Sequence, residues 1–117
     1  MPGISIHVVD VSRGIAAAGT TIEVFAVANH ARELIASGVI GTNGALEDAA
    51  LEGNFAVGPY EAVFRVGDYY RDARAALPAV PFLDIVIFRF GIADPQQHYH
   101  LPFKCTPWGY SCFRDGA

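Results

Sequence analysis

Apolar and polar residues alternate along much of this chain with the two-residue period of strands that bury one face. In the clearest case Tyr60, Ala62 and Phe64 share one face, while Glu61, Val63 and Arg65 lie on the other. Similar segments rich in β-branched and aromatic residues recur, and they are separated by residues that favour turns. The pattern predicts strands at 4–9, 20–27, 33–40, 50–52, 59–66, 82–90, 97–106 and 110–114.

One segment, 68–77, departs from this alternation. Arg71, Arg74 and the neighbouring alanines favour a helix, Asp68 can cap its start, and the prolines that follow end it. Seven or eight short strands with one helix, separated by frequent turns, are typical of a β-sandwich. A chain of 117 residues is long enough for one such domain, so we expect a single domain over 1–117.

Composition narrows the classes of partner. Charged residues make up 17% of the chain, below the roughly one quarter typical of soluble domains, and the net charge is −4. Sparse charge predicts contacts between subunits, whereas scattered Lys and Arg argue against nucleic acid as a partner. No apolar run approaches the roughly 18 residues of a membrane span, and the first residues do not resemble a signal peptide. We therefore expect a cytoplasmic protein that does not bind membranes.

Histidines are the main candidates for chemistry. His7, His98 and His100 fall in predicted strands, whereas His30 falls in a predicted hairpin loop and is given no role. The period of two puts His98, His100 and Lys104, the only lysine, on one face of the penultimate strand. Imidazole can act as a base and as an acid near neutral pH, so this face could carry proton-transfer chemistry.

Two other interpretations of these residue types stay open. His98 and His100 could bind zinc together with His7 or a carboxylate, although no acidic ligand stands at a recognisable spacing. Cys105 and Cys112 flank a predicted hairpin, and without a secretory signal we interpret them as reduced, partly buried thiols.

Motifs at both ends of the chain resemble the transthyretin-like family, and within it the 5-hydroxyisourate hydrolases. Residues 7–14 read HVVDVSRG, residues 98–102 read HYHLP and residues 106–111 read TPWGYS, each similar to a family signature. Shorter matches fall between them in the expected order: ASG at 36–38, TN at 42–43, GPY at 58–60 and YY at 69–70. The resemblance covers essentially the whole chain and implies a transthyretin-like (prealbumin-like) eight-stranded β-sandwich with one short helix.

The resemblance also implies an activity and an assembly. Family members hydrolyse a cyclic amide in 5-hydroxyisourate, a small molecule of purine degradation, and need no metal or organic cofactor. They form homotetramers whose active sites lie in a channel where subunits meet. Their catalytic set combines two histidines, an arginine after the third strand and a C-terminal Tyr-Arg-Gly-Ser tail. His7 and His100 match the histidines, Phe113 stands at the tyrosine and Arg114 at the tail arginine.

This chain departs from the family pattern at the arginine and in the tail. Residues 42–47 read TNGALE where the family has Thr-Asn-x-Asp-Gly-Arg, so Glu47 stands at the arginine. The tail reads FRDGA, with an acid in place of the glycine and without the serine. Lys104 shares the face of His100, where the family has apolar residues, and could supply the missing positive charge.

These observations lead to one main hypothesis and two alternatives. His7 would activate water, and His100 would orient it or protonate the leaving nitrogen, while Lys104 and Arg114 stabilise the anion. Loss of the family arginine predicts a modified substrate, such as an N-methylated ring, bound by Lys104 and Glu47 with apolar contact from Leu46, Phe103 or Phe113. The alternatives are a non-catalytic carrier of small ligands and a metal-dependent hydrolase that uses His98 and His100.

Overall fold

Eight strands in the described part of the chain form two sheets that pack face to face. The computed structural model describes residues 2–73 and 76–116. The strands are β1 (Gly3–Asp10), β2 (Ile15–Ala16), β3 (Thr21–Ala28), β4 (Ala31–Val39), β5 (Gly58–Arg65), β6 (Ile85–Ile92), β7 (His98–Thr106) and β8 (Gly109–Cys112). The described residues also form an α-helix, α1 (Val66–Asp72), and a 3₁₀ turn, Ala49–Leu51. None of the helices in these ranges is long and apolar enough to cross a membrane.

The first sheet has the strand order β2-β1-β7-β8 and carries three of the histidines. β1 and β7 run parallel, so that Ser5 lies opposite His100 and His7 lies opposite Pro102. Side chains alternate between the two faces of each strand. Those of β1 and β7 that point inward are apolar and buried, apart from the carboxylate of Asp10, and the histidines consequently lie on the outer face.

The second sheet has the order β4-β3-β5-β6, and all of its neighbouring strands are antiparallel. Tyr60, Ala62 and Phe64 of β5 are buried, as the alternation predicts. Val63, on the opposite face, is only 4% exposed, so this strand is more enclosed than the half-exposed strand expected from the sequence.

An aromatic stack joins the two sheets behind the histidines. Phe64 of β5 and Phe103 of β7 are both fully buried, and their ring centroids are 4.0 Å apart. Burial of an aromatic side chain of this size contributes about 1.5–3 kcal/mol. Because Phe103 is held in the core, its neighbours on β7 must turn their side chains outward.

Helix α1 is attached to the end of β1 by a buried carboxylate. The hydroxyls of Tyr69, Tyr70 and Ser12 donate to Asp10 at 2.8, 2.7 and 2.6 Å. Burial acts to raise the pKa of Asp10, but hydrogen bonds from Ser12, Tyr70 and Tyr69 outweigh it and hold this pKa below its ordinary value. Burial, together with the nearby Asp10 carboxylate, raises the pKa of Tyr69 to about 12. The network therefore keeps a charged carboxylate inside the fold.

Seven of the eight predicted strands are present, and the predicted strand at 50–52 is wrong. That segment is the 3₁₀ turn, because the Asp48 carboxylate accepts from the backbone N–H of Ala50 and starts a turn instead. β2, within a segment expected to be only a turn, is the eighth strand. α1 starts at Val66 without a side-chain cap, so the capping role expected of Asp68 is also wrong. Arg74, included in the predicted helix, lies outside the described residues.

Candidate active site

The outer face of the first sheet brings together side chains that are far apart in the sequence. We call the surface formed by Ser5, His7, His98, His100 and Lys104 the histidine face. His7 and His100 lie on adjacent strands, offset by two residues. That offset places their Cα atoms about 8 Å apart. Lys104 lies one step beyond His7, but four residues along β7 from His100, a distance of about 13 Å. Along the strand direction, His7 therefore lies between His100 and Lys104.

The loop before residue 45 holds His7 in one orientation. His7 Nε2 lies 3.0 Å from the carbonyl oxygen of Asn43. A carbonyl oxygen can only accept, so the proton of the neutral ring is on Nε2 and the lone pair is on Nδ1. Gly44 packs directly against the ring, and a Cβ there would lie 2.8 Å from Cε1 of His7. The loop is fixed to β1, since Val8 N–H donates to the Gly44 carbonyl at 2.8 Å.

A serine hydroxyl links the other two histidines of the face. Ser5 Oγ is 2.7 Å from His98 Nε2 and 2.6 Å from His100 Nδ1. The second ring nitrogen of His98, Nδ1, is buried and has no hydrogen-bond partner among the described residues. His100 Nε2 has no partner in the same ranges and is not buried, so it is open to a bound molecule.

The C-terminal tail continues the antiparallel ladder along β7. The Asp115 N–H donates to the carbonyl of His100 at 2.9 Å, in register with the β7–β8 pairs. This register puts Phe113 and Asp115 on the histidine face and turns Arg114 to the opposite side. Phe113 is 42% exposed, and its ring centroid is 6.0 Å from Nζ of Lys104.

Arg114, expected in the catalytic set, is not brought onto the histidine face in this chain. Its guanidinium lies 4.0 Å from the ring centroid of Tyr99. It donates to Gln97 Oε1 and to the carbonyl of His98, both at 3.1 Å. These contacts fix the start of β7, and thereby the backbone that carries His98 and His100.

A groove of about 760 Å³ opens beside the histidine face. We call it the acidic groove; its lining includes Ser5, His98, Glu47, Asp48, Glu52 and Leu51. Glu47, at the position of the family arginine, is exposed and accepts from Asn43 Nδ2 at 3.3 Å. Leu46 also lines the groove but is only 6% exposed, so most of its side chain belongs to the core. Phe103 is fully buried against Phe64, so the apolar contact expected of it is wrong.

The described residues give less support to metal or thiol chemistry than to chemistry by the histidines. Within residues 2–73 and 76–116, no three His, Cys, Asp or Glu side chains are grouped as metal ligands. Cys105 and Cys112 are free, as predicted, and burial raises their pKa values to about 11 and about 12.

Sequence reasoning missed Ser5 and Asp115 as members of the site. Ser5 is recognisable by its period with His7, but its contacts depend on the parallel pairing of β1 with β7. Asp115 reaches the face through the register of the tail, which no local pattern reports.

Comparison with known proteins identifies the class to which a two-sheet sandwich with a pair of histidines on its outer face belongs. The model of the HIUase/Transthyretin family matches residues 4–115, and the chain belongs to that family. This confirms the family and the fold expected from the sequence motifs.

Particular relatives are similar over almost the whole chain. The 5-hydroxyisourate hydrolase 2 of Rhizobium meliloti (strain 1021) is 42% identical over 92% of this chain and 91% of its own. The crystal structure of (S)-allantoin synthase matches with a TM-score of 0.90 and 33% identity, over 97% of this chain and 43% of the other. The Klebsiella pneumoniae 5-hydroxyisourate hydrolase matches with a TM-score of 0.80 and 25% identity, over 99% and 100% of the two chains.

Proposed function

We propose that this protein hydrolyses the cyclic amide of 5-hydroxyisourate, or of a closely related ring, in purine degradation. One observation carries the proposal: His7 and His100 share one face, and each ring is held through one nitrogen with the other nitrogen left for chemistry. Two relatives named 5-hydroxyisourate hydrolase, 42% and 25% identical to this chain, support the same reaction.

The orientation of His7 suits the activation of water. Its Nε2–H is engaged by Asn43, so Nδ1 is the nitrogen that can take a proton. The water oxygen bonds to the ring carbonyl carbon as its proton passes to His7 Nδ1. When the C–N bond breaks, His7 returns this proton to the leaving nitrogen, and the product is a ring-opened carboxylic acid. Positioned proton transfer of this kind contributes about 10²- to 10⁴-fold.

Positive charge for the developing oxyanion comes from Lys104 in this proposal. Its side chain is exposed and lies on the same side of His100 as His7. Arg114 acts indirectly, by fixing the start of β7 through the carbonyl of His98. Replacing Lys104 by Met should lower kcat/KM by about 100-fold, on the scale of a lost oxyanion partner. An unchanged kcat/KM would remove this role.

Glu47 makes a modified ring the better substrate. The family arginine can donate several hydrogen bonds to an unmodified ring, whereas the Glu47 carboxylate can only accept. Ring oxygens and nitrogens that would accept from the arginine therefore gain nothing from Glu47, and the exposed ring of Phe113 offers apolar contact to a methyl group. Leu46, being mostly buried, adds a small part of that surface.

Replacing Glu47 by Arg tests this specificity. We expect Glu47→Arg to raise kcat/KM for the unmethylated ring relative to an N-methylated one by about 10-fold or more. Glu52→Arg is the matched control, since it adds the same charge at another position of the acidic groove. A wild-type preference for the unmethylated ring would contradict the assignment.

Assembly as a homotetramer with sites at subunit contacts is part of the proposal. The side chains of the histidine face are half-buried, apart from the exposed Lys104. Trp108, Tyr110 and Phe113 expose 58%, 51% and 42% of their surface near its β8 side. Exposed aromatic residues in a chain with so little charge are typical of subunit contacts. Sedimentation equilibrium should give four chains per particle, and a monomer with full activity would contradict it.

The hydrolase proposal is tested by turnover of 5-hydroxyisourate and its N-methylated forms, followed by ultraviolet absorbance. His7→Ala and His100→Ala should each lower kcat/KM by about 100-fold or more. His30→Asn is the control, because His30 is exposed in a turn with a φ of 63°, which asparagine tolerates. A protein that binds these rings without turning them over would be the carrier instead.

A further inference from the structure

The hydrogen bonds of Ser5 couple the tautomers of two histidines. Its hydroxyl lies 2.7 Å from His98 Nε2 and 2.6 Å from His100 Nδ1. A hydroxyl has one proton, and among the described residues the Ser5 O–H has no acceptor other than these two nitrogens, so it donates to one of them and accepts from the other. When both rings are neutral, the tautomer of one therefore determines the tautomer of the other.

His98 Nδ1 decides between the two arrangements. If Ser5 donates to His98, the neutral ring must carry its proton on Nδ1, which is buried and has no partner among the described residues. If His98 Nε2–H donates to Ser5, the same buried position holds only a lone pair. Buried N–H groups without an acceptor are rarer in proteins than acceptors that lack a donor. The second arrangement is therefore favoured.

In that arrangement the proton order runs from His98 Nε2–H to Ser5 Oγ, and from Ser5 O–H to His100 Nδ1. The neutral His100 ring then carries its own proton on Nε2, the nitrogen that is not buried.

We infer that His98 and Ser5 are positioning residues that hold the neutral His100 ring in its Nε2–H tautomer, so that this N–H is aimed at the oxyanion of the reaction. This inference rests on the proposed function and divides the work between the imidazoles. His7 moves the proton between water and the leaving nitrogen, while His100 donates a hydrogen bond to the carbonyl oxygen and keeps its proton throughout. In a chain without the family arginine, this N–H donor and Lys104 together stabilise the oxyanion.

A spectroscopic measurement tests the tautomer without depending on turnover. In protein labelled with ¹⁵N-histidine, two-bond ¹H–¹⁵N correlations report which nitrogen of each neutral ring is protonated. We expect Nε2–H for both His98 and His100. An Nδ1–H tautomer of His100 in the wild-type protein would overturn the inference, whether or not the protein is a hydrolase.

Kinetics of variants test the positioning role. Ser5→Ala should lower kcat by about 10- to 100-fold with little change in KM, because it removes the hydrogen bond that orients the His100 ring but keeps the His100 side chain. Ser5→Thr keeps the hydroxyl on a β-branched residue suited to a strand, and it should restore kcat to within about threefold. His98→Gln retains an N–H donor towards Ser5, so it should be more active than His98→Leu.

The outcomes separate the two proposals. If the wild-type protein opens no ring while His100 is the Nε2–H tautomer, the hydrolase proposal fails and the hydrogen-bond chain stands. If turnover is normal but Ser5→Ala matches the wild type in kcat, or Ser5→Thr is no better than Ser5→Ala, the positioning role is wrong. Thermal unfolding of each variant identifies any loss that comes from misfolding.

Discussion

Gly44 offers a sharp test of the position of His7. An alanine Cβ at this residue would lie on the His7 ring, 2.8 Å from Cε1, so either the ring or the loop must move. The Nε2–H bond to Asn43 would be lost with it. A displacement of about 1 Å at a reacting group can cost about 100-fold in rate, or about 2.7 kcal/mol of barrier.

Backbone strain must be separated from this effect. Gly44 has a φ of +84°, and placing alanine in that region costs about 1–2 kcal/mol of stability. Gly19 has a similar φ of +95°, but a Cβ there would meet nothing within 4 Å. Gly19→Ala should therefore lose similar stability and keep its activity.

The assay is kcat/KM for ring opening, together with urea unfolding of the same samples. We expect kcat/KM to fall about 100-fold in Gly44→Ala and by less than about threefold in Gly19→Ala. If Gly44→Ala keeps the wild-type kcat/KM, the placement of the base at His7 Nδ1 is refuted.

Three further predictions concern the surroundings of the site. Arg114→Met removes the contact with Tyr99 and should lower the free energy of unfolding by about 1–2 kcal/mol. Its loss of kcat/KM should be smaller than that of His100→Ala, and equal losses would place Arg114 in the chemistry itself. The pKa of Asp10 is lowered in the folded state, so its stabilising contribution is present above the pKa of the unfolded chain and is lost as pH falls through the pKa of the folded state. In urea unfolding, the difference in free energy of unfolding between wild type and Asp10→Asn should shrink from about pH 7 to pH 3, and a constant difference would contradict this. Burial raises the pKa of Cys105 to about 11 and that of Cys112 to about 12. A thiol reagent at about pH 8 should therefore label both cysteines only after unfolding. Rapid labelling of the native protein would contradict this, because it would show exposed thiolates.

Alternation along the chain was sufficient to predict the faces of the long strands. His98, His100 and Lys104 share one face of β7 because side-chain direction has a fixed period and Phe103 is locked in the core. The three-residue segment at 50–52 was too short for a period to be informative, and the Asp48 side chain decided its conformation.

Contacts between distant segments could not be predicted in the same way. Ser5 meets His98 and His100 across 93 and 95 residues, through a parallel pairing whose register is not written in either strand. The tail shows the consequence of register most clearly, because a shift of one residue would exchange Arg114 with its neighbours on the histidine face. Recognition of the family motifs supplied the pairing of His7 with His100, but not the hydrogen bonds that orient them.

A crystal structure of the assembled protein with a non-hydrolysable analogue of the ring would test the central proposal most directly. We predict the carbonyl oxygen of the analogue within hydrogen-bond distance of His100 Nε2, and a water or its mimic within hydrogen-bond distance of His7 Nδ1. An analogue bound elsewhere, touching neither imidazole, would contradict hydrolysis by this histidine pair.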